Sequence, residues 1–297
     1  MEKIVIPYEE RRGKIIWPGN AQIVVAPNVP IEVWGRESIT KKPPRGGPNP
    51  IAGLPRGDLT MMTMVEYGLK IGIKRIMSVF EKHEMKVTVV CTGMAVEAYP
   101  DLFRGLAEKG HEICAHSYDQ SIELPLLSRE EQKKVIQKSV SALEKATGQR
   151  PCGWISPGAR CDENTVELLA ENDFLWHGDL QDDDLPYIVK VGKKKLVILP
   201  YKLNGLCSDH RLYGTDRRSP QEALDFLKWG FDAYYEEGRA GIPMILSLGG
   251  LHPYITGRPE NIIVLDKFIQ YIKGHPRVWL TRRKDIAEYW LKNYSTR

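Results

Sequence analysis

The 297-residue sequence predicts a single α/β domain. Short apolar, β-branched runs alternate with amphipathic stretches from about residue 63 onward. No break in composition divides the chain. Apolar residues make up 42% of it, enough to bury a sizeable core.

Up to about residue 59 the chain is loop-rich, with one clear strand at residues 21–26. That strand runs into Pro27, Asn28 and Pro30, and then into Ile31-Glu32-Val33-Trp34. The Pro- and Gly-rich run 41–50 follows. It cannot be regular structure and reads equally well as part of a lid or as a surface loop.

The alternation then begins. Apolar spacing predicts a helix over 63–83, a buried strand over 87–91, and a helix to Lys109 capped by Gly110. A strand over 112–116 leads to Ser128, which with Glu131 forms a capping-box pattern opening a helix to about 147. Residues 151–156 read as a strand, 163–171 as a helix, and 188–191 with 196–199 as a hairpin. Ser219-Pro220 is a specific helix start, with the helix reaching about residue 237. Strands at 244–248 and 278–281 alternate with helices at 260–273 and 284–292.

Several function classes recede on composition. The net charge is +4 and no basic block carries interleaved aromatics, so nucleic-acid binding is not expected. No apolar run reaches the length of a membrane span. The N-terminal Met1–Pro7 lacks a signal-like apolar region, so a cytoplasmic location is the expectation. The five cysteines are scattered without a CxxC pair, and Cys91 and Cys114 read as small core residues. Neither a phosphate-binding glycine loop nor a G-x-S-x-G elbow is present. Cys161 follows Arg160, which could activate a thiol, but a structural role is the stronger reading.

Chemistry is sought where polar residues end apolar strands, because parallel strands deliver such groups to one face. Glu32, His116, Arg160 and His252 all fit, and Asp182-Asp183-Asp184 adds an acidic cluster. Each also has a bland explanation. A strand-end histidine is commonly a hydrogen-bonded structural residue, adjacent aspartates are commonly a solvated loop, and Arg160 and Arg258 could cap helices.

These segments resemble the polysaccharide deacetylase family, and within it the cytosolic cyclic amide hydrolases, which include metal-independent allantoinases and cyclic imide hydrolases. The resemblance rests on Ile31-Glu32-Val33-Trp34, Met64–Gly68, and Glu112–Ser117. It continues through Gly153-Trp154 with Arg160, Asp183–Tyr187, Leu251-His252 with Gly257-Arg258-Pro259, and Arg277-Val278-Trp279. It implies a deformed (β/α) barrel over residues 1–297 and hydrolysis of a non-peptide C–N bond in a small-molecule substrate, a cyclic imide or ureide. It also implies a homo-oligomer, commonly a tetramer. Metal-dependent members use a first-strand aspartate and two histidines spaced H-S/T-x-x-x-H or H-S/T-x-x-H. Here His116-Ser117 leads to Tyr118-Asp119-Gln120-Ser121, with no second histidine. No catalytic metal is therefore expected; a residual zinc-type site would use His116 with Glu32 or Asp119.

Without a metal, Glu32 is the candidate general base. His116 and His252 are candidates to protonate the leaving nitrogen or to hold the oxyanion. Arg160, Asp184 and Arg258 are candidate substrate contacts, and Trp34 and Tyr118 candidate walls for a flat ring. Trp154 reads as core. The alternatives are an N-deacetylase of an amino sugar and an inactive family member that binds a small molecule.

Overall fold

The strand that organises the molecule is β2 (Ile23–Ile31), buried along its whole length. In this computed structural model, which describes residues 2–36, 38–39, 44, 54, 57–201 and 208–295, β2 runs straight through Pro27 and Pro30. The sequence pattern stops it at Ala26. The reason for the difference lies in its edges. One edge pairs in parallel with β9 (Met244–Leu248) over Ile23–Pro27. The other pairs first with β10 (Val278–Leu280) over Ile23–Val25, then with β3 (Thr88–Cys91) over Asn28–Ile31. Ile31 O accepts from Thr92 N on the β3 side, and Asn28 O accepts from Leu251 N on the β9 side. Alternate residues therefore face alternate edges. Pro27 faces the gap between β10 and β3, and Pro30 the space beyond β9, so neither removes a ladder hydrogen bond.

From β3 the sheet continues in parallel through β4 (Glu112–Ala115), β5 (Gly153–Trp154), β6 (Trp176–His177) and β8 (Lys194–Ile198). β7 (Tyr187–Val191) pairs antiparallel with β8, which is the expected hairpin. β1 (Glu2–Ile4) adds an antiparallel edge on β7. Sequence periodicity misses β1 and β6, which are three and two residues long, too short for a period to register.

The helices are α1 (Leu59–Tyr67), α2 (Ile73–Lys82), α3 (Gly93–Ala98), α4 (Pro100–Glu108), α5 (Arg129–Thr147), α6 (Glu163–Glu171), α7 (Pro220–Arg239), α8 (Pro259–Lys273) and α9 (Arg283–Tyr294). Both serine capping boxes form as expected, at Ser128 and Ser219. Two expected helices are each divided. The stretch to Lys109 breaks at Tyr99, before Pro100. The 63–83 helix begins at Leu59, capped by Asp58, and is interrupted by a π turn over Gly68–Gly72. Close packing accounts for the glycines of that turn: a Cβ on Gly72 would lie 1.9 Å from Pro253 O. The turn presses against the loop that carries His252.

Alternation along β2 separates two cores. Ile23, Val25, Val29 and Ile31 pack outward with helical residues such as Phe80, Phe231 and Phe268. Val24 and Ala26 face inward with Val90, Cys114, Ile155, Trp176 and Val197. Cys91 and Cys114 are fully buried, as expected for core residues.

Among the described residues, no backbone ladder joins β8 to β9, so the barrel has an open seam. The fully buried Arg283 spans it. Its Nε donates to Asn28 Oδ1 (2.7 Å), Nη1 to Leu199 O (2.5 Å), and Nη2 to Ser247 Oγ (2.6 Å) and Pro200 O (3.2 Å). Trp176 and Tyr201 lie beside the guanidinium at 5.4 and 5.6 Å. Groups on or next to β2, β6, β8 and β9 thus meet at one side chain, and the sheet curls around it. Burial lowers the Arg283 pKa to about 10, leaving it charged at neutral pH.

Replacing Arg283 with Met should strand these acceptors at a cost of about 1–3 kcal/mol each. Urea unfolding of Arg283→Met is expected to show a loss of roughly 3 kcal/mol or more; an unchanged midpoint would remove the seam from the stability argument.

Candidate active site

The C-terminal ends of the parallel strands surround a cavity of about 370 Å³ lined by Glu32, Trp34, His116, Gln120, Arg160, Tyr201, His210 and His252, among others. Glu32 leaves β2, His116 leaves β4, Arg160 follows β5, and His252 follows β9. The three catalytic candidates from the sequence are therefore neighbours in space. All three are buried, Glu32 and His252 at 7% and 6% exposure and His116 at 4%.

Glu32 sits at the centre. His116 Nε2 lies 3.4 Å from Glu32 Oε1, and His252 Nε2 lies 3.6 Å from the same oxygen. Gln120 Nε2 donates to it at 2.6 Å. Each imidazole is oriented from behind. His116 Nδ1 is 2.6 Å from Ile155 O, a contact that requires a proton on Nδ1. His252 Nδ1 is 2.7 Å from Asp209 Oδ1, and Asp209 Oδ2 also accepts from His252 N and Thr256 Oγ1. With Nδ1–H engaged, each Nε2 faces the cavity side of Glu32. His210 stacks on His252 with centroids 3.9 Å apart.

Charge alternates across this row. Burial alone would raise the Glu32 carboxyl, but the two imidazoles outweigh it and hold the group well below the usual carboxylate range. Burial alone would lower His252, but the Asp209 and Glu32 carboxylates outweigh it and push the imidazole up to about 10. At neutral pH His252 is therefore a cation beside the Glu32 anion.

Among the described residues, the buried polar atoms Trp34 Nε1, His116 Nε2 and Gln120 Oε1, on side chains that line the cavity, have no hydrogen-bond partner. Two strand-end residues beside the site also take left-handed backbone conformations, Ser117 (φ 61°) and Ala159 (φ 51°). Such strain at non-glycine positions concentrates at functional sites.

Other expected contacts fall elsewhere. Tyr118 points away from the cavity: its hydroxyl donates to Glu97 and Lys138 Nζ lies over its ring at 3.5 Å. Asp184 accepts from Tyr234, Asp183 pairs with Arg11, and Asp182 accepts from Lys3 and Tyr187, so the acidic cluster is bound up in structural pairs. Arg258 is the exposed N-cap residue of α8 and donates to Tyr254 O. Asp119 clamps a loop by accepting from Gly35 N and Ser121 N. Arg160 stays at the cavity rim, 3.5 Å from Glu123, and Trp154 is core, as expected. The Pro- and Gly-rich run, apart from Pro44, lies outside the described residues, as does Cys207.

Sequence reasoning misses Asp209 and Gln120. Asp209 is 43 residues from its histidine and ends no strand. Gln120 carries one signal: it stands four residues after His116, where the metal-dependent pattern has its second histidine.

A buried carboxylate between two oriented imidazoles at a strand-end cavity can take up and deliver protons. The polysaccharide deacetylase profile matches residues 56–175. The structure is similar to that of PuuE allantoinase, with 30% identity over 93% of this chain and 92% of that one, and a TM-score of 0.81. It is likewise similar to a polysaccharide deacetylase homologue from Pseudomonas aeruginosa PAO1, with 30% identity over 95% of each chain and a TM-score of 0.83. A protein of Schizosaccharomyces pombe named for the same family is 29% identical over 92% of each chain. The chain belongs to the polysaccharide deacetylase family. None of the helices among the described residues is long and apolar enough to cross a membrane.

The charged row makes a pH prediction. His252 is raised from 6.5, so its stabilisation is complete below about 6.5 and lost as pH rises through about 10. Glu32 is lowered from 4.5, so its contribution is present above about 4.5 and lost as pH falls. Thermal stability should therefore decline on the alkaline side toward pH 10. In Asp209→Asn the His252 titration, followed by NMR, should move down; a titration left near 10 would show that Asp209 does not set it.

Proposed function

We propose that this family member opens a small cyclic imide or ureide without a catalytic metal. The observation that supports this most directly is the pairing of unsatisfied atoms in the cavity, a donor at Trp34 Nε1 and an acceptor at Gln120 Oε1. A ring amide is locked cis, so its C=O and N–H lie on one edge and can meet a donor and an acceptor together. An open-chain acetamide is trans, and adopting cis costs about 2.5–4 kcal/mol. The similarity to an allantoinase points the same way.

In this reading a water hydrogen-bonded to the Glu32 carboxylate gives its proton to His116 Nε2 as its oxygen attacks the ring carbonyl. The carbonyl oxygen, as it becomes an oxyanion, is met by the Trp34 N–H. His252, already protonated, delivers its proton to the leaving nitrogen. Asp209 holds it in position and keeps it charged. A second carbonyl on that nitrogen stabilises the leaving group, so an imide needs less activation than an acetamide.

A metal-assisted N-deacetylase is the second reading, favoured by one observation. Both imidazoles are oriented from behind, as outer-sphere partners orient zinc ligands, and His116 Nε2 has no partner. His116, His252 and Glu32 would hold the ion, with Gln120 in place of a second histidine. The ion would polarise the carbonyl and acidify water there.

Chelator-treated protein should open succinimide-, hydantoin- or allantoin-like rings in a proton-release and NMR assay. N-methylation of the ring should cost about tenfold or more in kcat/KM, the equivalent of one lost hydrogen bond. Glu32→Gln and His252→Ala should each cost roughly 10²- to 10⁴-fold. Turnover confined to N-acetyl sugars, and only after zinc is added, would replace this reading with the second.

A further inference from the structure

Behind the wall of the cavity lies a second cluster that the proposed chemistry does not use. His177 and Asp179, at the end of β6, are both fully enclosed, at 0% and 3% exposure. Cys161, partly buried, follows the Ser156–Arg160 segment that lines the cavity. One ligand atom from each of the three residues lies within 4.8 Å of the others.

The His177–Asp179 pair is not self-sufficient. His177 Nε2 is 2.7 Å from Asp179 Oδ2, while His177 Nδ1 is buried without a partner. Asp179 Oδ1 accepts from Ser156 N at 2.8 Å. Among the described residues, the ion pair at Asp179 is with this imidazole. A buried imidazole nitrogen without a partner, beside a buried carboxylate and a thiol, is a set of donor atoms that one bound cation would satisfy together.

We propose that Cys161, His177 and Asp179 form a binding site for a thiophilic divalent transition metal such as zinc, separate from the Glu32 centre. Sulfur, nitrogen and oxygen ligands reach such an ion at about 2.0–2.3 Å, so two of them lie at most roughly 4.6 Å apart. The three ligand atoms already lie within 4.8 Å of one another, so side-chain adjustment can bring them onto one ion. The partial exposure of Cys161 gives the ion an approach and leaves a position for water. On binding, the Cys161 S–H proton leaves to solvent as the sulfur–metal bond forms. Because that proton is released, affinity should rise with pH. The site also bears on the cavity wall. Asp179 holds Ser156 N, and the next residues make the turn that leads to Arg160.

Cobalt(II) titration of the full chain tests this directly. Sulfur coordination produces a near-ultraviolet sulfur-to-cobalt charge-transfer band, which nitrogen and oxygen ligands alone cannot give. One equivalent should saturate the band, zinc should displace it, and half-saturation should fall with rising pH. Cys161→Ser should abolish the band while circular dichroism stays unchanged, and His116→Ala should retain it. Absence of the band from folded protein at saturating cobalt would overturn the site and leave a water-bridged His–Asp pair. So would a band that survives Cys161→Ser. Neither result touches the ring-opening reading, which is scored by turnover of chelated protein.

Discussion

The architecture turns on one buried cation. A parallel sheet that curls without a closing ladder leaves polar groups along its seam, here the carbonyls of Leu199 and Pro200 and the side chains of Asn28 and Ser247, and burying them unpaired is costly. Arg283 meets that demand because a guanidinium carries five donors in a rigid fork. It reaches Asn28, Leu199, Pro200 and Ser247 at once. A lysine could not span these positions with a single ammonium. Arg283 also fixes the distance between the ends of β2, β8 and β9, and two of those strands lead into Glu32 and His252. The geometry of the cavity is therefore set from below, by a side chain that does not line it.

The same economy of charge governs the site. Glu32 and Asp209 are both buried, and an imidazolium stands between them. The two carboxylates face that cation from either side, and together they raise its pKa. In the proposed mechanism this cation holds a carboxylate in place and supplies a proton, tasks that a metal ion and its bound water share in metal-dependent hydrolases. Gln120 completes the arrangement with an N–H toward Glu32, where an imidazole in the metal-dependent pattern would offer a lone pair.

Much of the fold was legible because it rests on periodicity and caps. The helix 163–171 and the strand 244–248 fall where the pattern places them, and Ser128 and Ser219 open their helices. What periodicity cannot carry is a tertiary reason. β2 crosses two prolines because its neighbours change there, and the π turn exists because Gly72 touches Pro253. Catalytic candidates were legible for a related reason: Glu32, His116 and His252 each break an apolar run at a strand end. Asp209 breaks no such run and finds His252 only through the fold. Tyr118 was misread because Ser117 adopts a left-handed φ, which turns the chain and sends the next side chain toward Glu97 and Lys138.

Ser117 lies just after β4, and Ala159 lies in the turn after β5 that lines the cavity. A left-handed conformation at a residue other than glycine or asparagine persists only where surrounding contacts enforce it. For Ser117 the contacts are visible. His116 N donates to Cys91 O before it, and Ser117 O accepts from Gly93 N after it. For Ala159 the enforcing contacts are the Ala159 N to Ser156 O bond and, behind Ser156, the Asp179 carboxylate. One wall of the cavity is thus held by the main reaction frame, and the other by the His177–Asp179 pair. A change in what that pair binds would reach Ala159 and Arg160 through two hydrogen bonds.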